Sequence, residues 1–232
     1  MAVIKGKARQ TSSIEQVSEG AEQFARMMRD GSLTVQNWLL SKVRQGKVFC
    51  ANGGSATTPA TFAGAYDADA PDLYVYVPYG TTITPVYLMV KYEAVGTESE
   101  MEVIALASNT GDSSATVTGG AAITIRNMRA DNPFASLCTA SYGVDAAGIT
   151  DPNAGNYVEF WRRGHPLKDT SATGENDRNE QVYEWNAGSG LVPPTIVGAA
   201  ASGSCLAVYA ASQAGTGFIT AIWVEEASGD VV

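Results

Sequence analysis

Val86-Tyr87-Leu88-Met89-Val90-Lys91-Tyr92-Glu93 alternates without a break, with Val86, Leu88, Val90 and Tyr92 on one side and Tyr87, Met89, Lys91 and Glu93 on the other. A period of two belongs to an extended strand, whose side chains point to opposite faces in turn. The stretch therefore predicts a strand with one dry face. Upstream lies Leu73-Tyr74-Val75-Tyr76-Val77, separated from it by Pro78-Tyr79-Gly80. Downstream, Glu100–Ser108 repeats the pattern, with Met101, Val103, Ala105 and Ala107 opposing Glu102, Ile104 and Leu106. Gly96-Thr97-Glu98 between the two predicts a hairpin.

Further short apolar runs at 47–51, 62–63, 122–126, 137–144, 157–162, 181–185, 205–211 and 218–225 are separated by Gly, Ser, Asn, Asp and Pro clusters. Eight to ten short strands with turn punctuation predict a mainly β fold, an antiparallel β-sandwich of jelly-roll or related topology. A parallel α/β fold needs crossover helices, and no helical pattern follows Gly46. The polar stretches 145–155 and 165–180 are expected to be surface loops.

Residues 1–46 read differently. After a basic lead (Lys5, Lys7, Arg9), Ser12 and Glu15 have capping-box spacing. Ile14, Val17, Ala21, Phe24, Met27 and Met28 then recur at helical steps as far as Asp30-Gly31. A second helix is expected from about Leu33 to Gln45, with Leu33, Trp38, Leu39 and Val43 on or near one face and Gly46 as its stop. The expected organisation is an N-terminal arm with a helical hairpin, 1–46, and a β-sandwich domain, 47–232. The stripe of the arm packs either on its own body or on a neighbouring subunit; in the second case Ile14, Val17, Phe24, Met27, Trp38 and Leu39 are the docking set.

Charge divides the chain at the same place. Residues 1–47 hold eight of the fifteen Lys and Arg against four acids, and residues 48–232 hold seven against twenty. An acidic body is a poor match for a phosphate backbone, whose affinity comes from Lys and Arg contacts, so sequence-specific nucleic-acid binding is not expected. Cys50, Cys138 and Cys205 are widely spaced, outside any metal-ligand pattern, and read as free thiols packed as small hydrophobes. Residues 1–10 carry no apolar run of a signal peptide, and no stretch approaches the ~20 apolar residues of a membrane helix. Synthesis in a cytosol, without a membrane partner, is the expectation.

No constellation for chemistry stands out. His165, in Arg162-Arg163-Gly164-His165-Pro166, is the single histidine, and no G-x-S-x-G elbow accompanies it. Asp67, Asp69, Asp72, Glu159 and Glu184 allow a carboxylate pair across a cleft, but nothing singles two of them out. Asp151-Pro152-Asn153-Ala154-Gly155-Asn156 begins like a calcium loop and departs from one at Asn156, where Gly belongs, and at Arg162, where Glu belongs. Glu175-Asn176-Asp177 with Asn179-Glu180 is a further oxygen-rich stretch. Tyr74, Tyr76, Tyr79, Tyr87 and Tyr92 suit either a packed core or a ligand platform. The reading is a non-enzymatic protein with no catalytic, cofactor or metal residues assigned.

The runs Gly31-Ser32-Leu33-Thr34-Val35-Gln36-Asn37-Trp38-Leu39, Gly46-Lys47-Val48-Phe49, Pro59-Ala60-Thr61-Phe62-Ala63-Gly64-Ala65 and Asp72-Leu73 through Pro85-Val86 resemble a group of bacteriophage virion structural proteins, as do Gly217-Phe218-Ile219-Thr220 and Trp223-Val224-Glu225. The resemblance implies a virion component made in the host cytoplasm. No segment is periodic for long enough to supply a spine helix, so a capsid decoration or cement protein is expected rather than the main tailed-phage shell protein. Its partners would be the capsid shell protein and other copies of itself, as a homotrimer by the habit of jelly-rolls and closed symmetry. A fibre or spike module binding a host glycan, and a single jelly-roll capsid protein, remain alternatives.

Overall fold

The computed structural model describes residues 6–8, 25–27, 37–55, 57–95, 100–111, 117–166, 182–189, 191–200, 203–211 and 214–230. The chain divides into two units, Met1–Ser41 and Lys42–Val232. In the first, β1 (Gly6–Ala8) pairs in parallel with β2 (Ala25–Met27). Ala25–Met27 thus lies in a strand where the apolar stripe predicts a helix. An amphipathic stretch is only marginally helical without a surface to pack on, and Gly20 weakens it further.

The second expected helix is present as α1 (Trp38–Arg44), which crosses the boundary between the units. Asn37 sets its start: the Asn37 Oδ1 accepts the amides of Leu39 and Leu40 at 2.9 and 3.3 Å, which satisfies two orphan donors of the first turn. Gly46, at φ +73°, ends it. The amides of Gly46 and Lys47 reach back to the carbonyls of Val43 and Lys42, the double bond of a Schellman stop.

From Val48 the regular structure of the described residues is strand, apart from three short 3-10 turns: β3 (Val48–Gly53), β4 (Ala60–Phe62), β5 (Leu73–Val77), β6 (Thr81–Val95), β7 (Glu100–Ser108), β8 (Ala121–Ile123), β9 (Arg126–Asn127) and β10 (Thr139–Tyr142). There follow β11 (Tyr157–Pro166), β12 (Val182–Asn186), β13 (Ile196–Val197), β14 (Ser204–Ala211) and β15 (Gly215–Ala227). One sheet runs β12-β6-β15-β3-β9, with β13 on β6 and β4 on β15; the other runs β11-β7-β14-β5-β10-β8. Every pair in both is antiparallel.

Eight strands of this set form nested pairs: β3 with β15, β5 with β14, β6 with β12, and β7 with β11. First with eighth, second with seventh, third with sixth and fourth with fifth is the wrapping of a jelly-roll. The chain is an antiparallel β-sandwich with this connectivity. β6 and β7 lie in different sheets, so they do not form the hairpin that Gly96-Thr97-Glu98 suggests. β6 also runs through Pro85 to Thr81, because the ladder to β15 shifts register between Ile222 and Trp223, opposite the proline; a bulge is where a strand tolerates a residue that cannot donate.

The core lies between the sheets. Val86, Leu88, Val90 and Tyr92 are buried as the alternation predicts, as are Met101, Val103, Ala105 and Ala107. Phe62, Trp185, Leu206 and Trp223 join the same cluster, each contributing about 1.5–3 kcal/mol by leaving water. The outer face of the β14 sheet is dry too. Ile104, Leu106, Ala207, Tyr209 and Ala211 form one cluster there, and Tyr74, Val144, Ile149 and Cys205 another.

Candidate functional site

The exposed apolar side chains of the body gather mainly at one end of the sandwich. Val77, Thr81, Ala227 and Ser204 share that end, because Ser204 pairs with Val77 and Ala227 with Thr81. Tyr79, 73% exposed, tips the link from β5 to β6, and Val197 on β13 stands beside Thr82. Leu191 and Val192, both exposed, lie on the segment from β12 to β13.

A well-bonded part of this end is the rim between β9 and β10. Its side chains include Met128, Phe134 and Leu137, which are 44%, 58% and 68% exposed. The loop that carries them is tied to its neighbours by hydrogen bonds. The Asn127 Nδ2 donates to the Gly46 carbonyl at 2.7 Å and to that of Phe134 at 3.1 Å. The Arg129 Nη1 donates to the Arg44 carbonyl at 3.0 Å. At the far side, Glu225 of β15 accepts the Ser136 hydroxyl at 2.5 Å and the Leu137 amide at 2.8 Å. Asn132, in the left-handed region at φ 47°, turns the loop, and Pro133 and Phe134 pack over Gly46. Around the apolar group stand Lys42, Arg44, Lys47, Arg126 and Arg129, half of the ten Lys and Arg in residues 42–232. Lys42 and Lys47 pair with Glu226, and Arg129 with Asp131. Arg, aromatic and Met side chains on a preformed scaffold are the composition enriched in protein interfaces.

A second surface covers the outer face of the β14 sheet. The Tyr209 hydroxyl donates to the Ala68 carbonyl at 2.8 Å, and the Asp69 Oδ1 accepts the Ala147 amide at 2.9 Å. Together these tie the segment before β5 to the segment after β10. Tyr66 packs tilted against Tyr209, with ring centres 5.0 Å apart and planes at 55°, and its hydroxyl accepts the Asn153 side-chain amide at 3.1 Å. Asp67, Asp69 and Asp151 converge here. The carboxyl of Asp67 is raised above the usual carboxylate range by its contact with Asp69, then by burial and by the charges of Asp69 and Asp151; like charges held close resist ionising together.

The carboxylates singled out in the sequence do not form one site. Asp67 and Asp69 meet, but Asp72 is buried with Ala63 and Ala210 as its partners. Glu159 is held by Arg162 in two bonds of 2.7 and 2.8 Å, and Glu184 accepts the Tyr87 hydroxyl on the other sheet. In the calcium-like stretch, the Asp151 Oδ1 accepts the Asn153 amide and caps a 3-10 turn, Pro152–Ala154. Among the described residues no group of three or more His, Cys, Asp or Glu is placed to hold a metal; 175–180 lie outside them. His165 takes its place in β11 opposite Met101. The tyrosines are dispersed: Tyr74 under the loops, Tyr92 in the core, Tyr87 on the opposite sheet and Tyr79 at the end.

Of the expected docking set, Ile14, Val17 and Phe24 lie outside the described residues. Met27 is in β2, while Trp38 and Leu39 open α1 with Trp38 half-exposed. The rim was not singled out in the sequence. Its signal is local: Met128, Phe134 and Leu137 are large apolar residues set among turn formers, Asp131-Asn132-Pro133, where polar side chains are the rule. No helix among the described residues is long and apolar enough to cross a membrane. No protein-family model, curated protein or solved structure matches the chain.

Proposed function

We propose that this protein is a structural component of a bacteriophage particle, a capsid decoration or cement protein that stabilises the shell by subunit-subunit contacts. The observation that carries this is the rim, where a hydrogen-bonded loop carries Met128, Phe134 and Leu137, all exposed, beside Arg126 and Arg129. A monomer gains nothing from ordering apolar side chains in water, whereas an interface built on them avoids the entropic cost of fixing a loop on binding. Jelly-rolls serve as capsid, lectin and cupin domains alike, so the fold is compatible with the role without selecting it.

The mechanism is mass action. A subunit that binds the assembled lattice and not its dispersed parts adds its binding free energy to the assembled state, and the gain multiplies with copy number. The partners are the shell protein and further copies, with a homotrimer as the expected unit. A single jelly-roll shell protein is the second reading, favoured by the complete nesting of the eight strands.

Quantitative mass spectrometry on gradient-purified particles tests the role. The expected result is this chain at a fixed, high ratio to the major shell protein, lowered when Phe134→Ser is carried by the particle genome. Absence from the particles overturns the reading, and closed shells formed from this chain alone replace it with the second.

A further inference from the structure

Two surfaces of the body complement each other and cannot meet within one copy. The rim, on the β3–β9 edge of one sheet, is apolar and carries Arg126 and Arg129. The loops over the outer face of the other sheet carry Asp67, Asp69 and Asp151, with the exposed ring of Tyr66 among them. Residues 48–232 hold twenty acids against seven Lys and Arg, so a basic corner on this body has its best electrostatic match in a second body of the same kind.

We propose that the rim at 126–137 docks on the acidic loop face of a second copy, so that copies join head to tail. The proposal rests on the assembly reading and names the contact. Phe134 and Leu137 supply the area that leaves water, and Arg126 meets the carboxylates of Asp67 and Asp69, relieving the repulsion they impose on one another. Because the two patches differ, the contact is heterologous, and repetition gives a closed ring or an open chain according to the rotation between neighbours. A trimer is the smallest such ring after the dimer.

Sedimentation velocity on the purified chain decides the matter with two variants, Phe134→Ser combined with Leu137→Ser, and Asp67→Lys. Phe134 and Leu137 are exposed and Asp67 is half-buried, and unchanged thermal unfolding shows that each variant is folded; Arg126→Glu is a second rim variant should the first not fold. The wild type is expected to associate at low ionic strength, at least tenfold more weakly in high salt, and each variant alone to be monomeric. Mixed in equal amounts, the two variants should form a two-copy species and nothing larger, since each retains one intact surface. Three results overturn the proposal: a wild type that stays monomeric at low ionic strength, a rim variant that associates like the wild type, or an Asp67→Lys variant that does so while the rim variant does not, which would mean a symmetric rim-to-rim contact. A monomeric chain that is nevertheless abundant in purified particles sinks this contact and leaves the assembly role standing; absence from particles does the reverse.

Discussion

Asp72 bridges the two sheets with one carboxylate. Its Oδ1 accepts the amide of Ala63, just past β4, at 3.1 Å, and its Oδ2 accepts that of Ala210 on β14 at 2.7 Å. It is 4% exposed, and burial pushes it up to about 6 against the pull of these two amides. The titratable group facing it is Tyr92 of β6. A carboxyl raised from near 4 to about 6 gives the folded state the greater proton affinity, so its contribution to stability is complete below about pH 4 and is lost as pH rises through 6. The loss amounts to about 3 kcal/mol. Asp72→Asn should flatten this part of the stability profile, seen in urea midpoints from pH 4 to 7 compared with the wild type; parallel profiles would refute the assignment. Tyr92 makes a simpler case. Its hydroxyl is buried without a hydrogen-bond partner among the described residues, so Tyr92→Phe is predicted to be neutral or to stabilise by about 1 kcal/mol, and a clear loss in the melting temperature would contradict that. In the sequence Asp72 looks like any other acid of an acidic chain; its burial depends on Ala210, far along the chain, and no local pattern announces it.

Strands were legible where burial is one-sided or total. The alternation at Val86–Glu93 follows from one wet face, and the unbroken apolar run of β14 follows from two dry ones. Pairing was not legible. β3 meets β15 from opposite ends of the body, and a nested topology has no signature in any short window, so β6 and β7, adjacent in sequence, look like a hairpin when they belong to opposite sheets. The rim escaped for a related reason, since the acceptor that pins it, Glu225, sits at the end of the last strand. Glu225→Ala should therefore release the rim while leaving the sandwich intact. With the bonds to Ser136 and Leu137 lost, at about 1–3 kcal/mol, together with the longer 3.4 Å bond from the Trp223 indole, the amide of Leu137 is predicted to exchange with deuterium at least tenfold faster and the amides of β14 at an unchanged rate. Faster exchange throughout would mean that Glu225 supports the core. Leu206→Ala in β14 should act in the opposite way, lowering global stability by about 2–5 kcal/mol in chemical denaturation without affecting self-association of the fraction that remains folded.

At the scale of the molecule, the nested strands make a rigid frame whose two long sides differ in character. One end and edge carry apolar and basic groups, and the loops of the opposite sheet carry acids. Such polarity is what the proposed assembly role asks of a building block, and the low overall charge density together with small residues in nearly every turn fits a body made mostly of packed sheet. The sandwich could be read from periodicity; the proposed role rests on the placement of side chains that only the fold brings to one edge. Electron microscopy of the intact particle tests the role most directly. Repeated density is expected for the two sheets, β12-β6-β15-β3 over β11-β7-β14-β5, standing on the shell with Phe134 and Leu137 at a protein contact. A particle whose density is fully explained without this chain, or one in which the rim faces open solvent in every copy, would contradict that role.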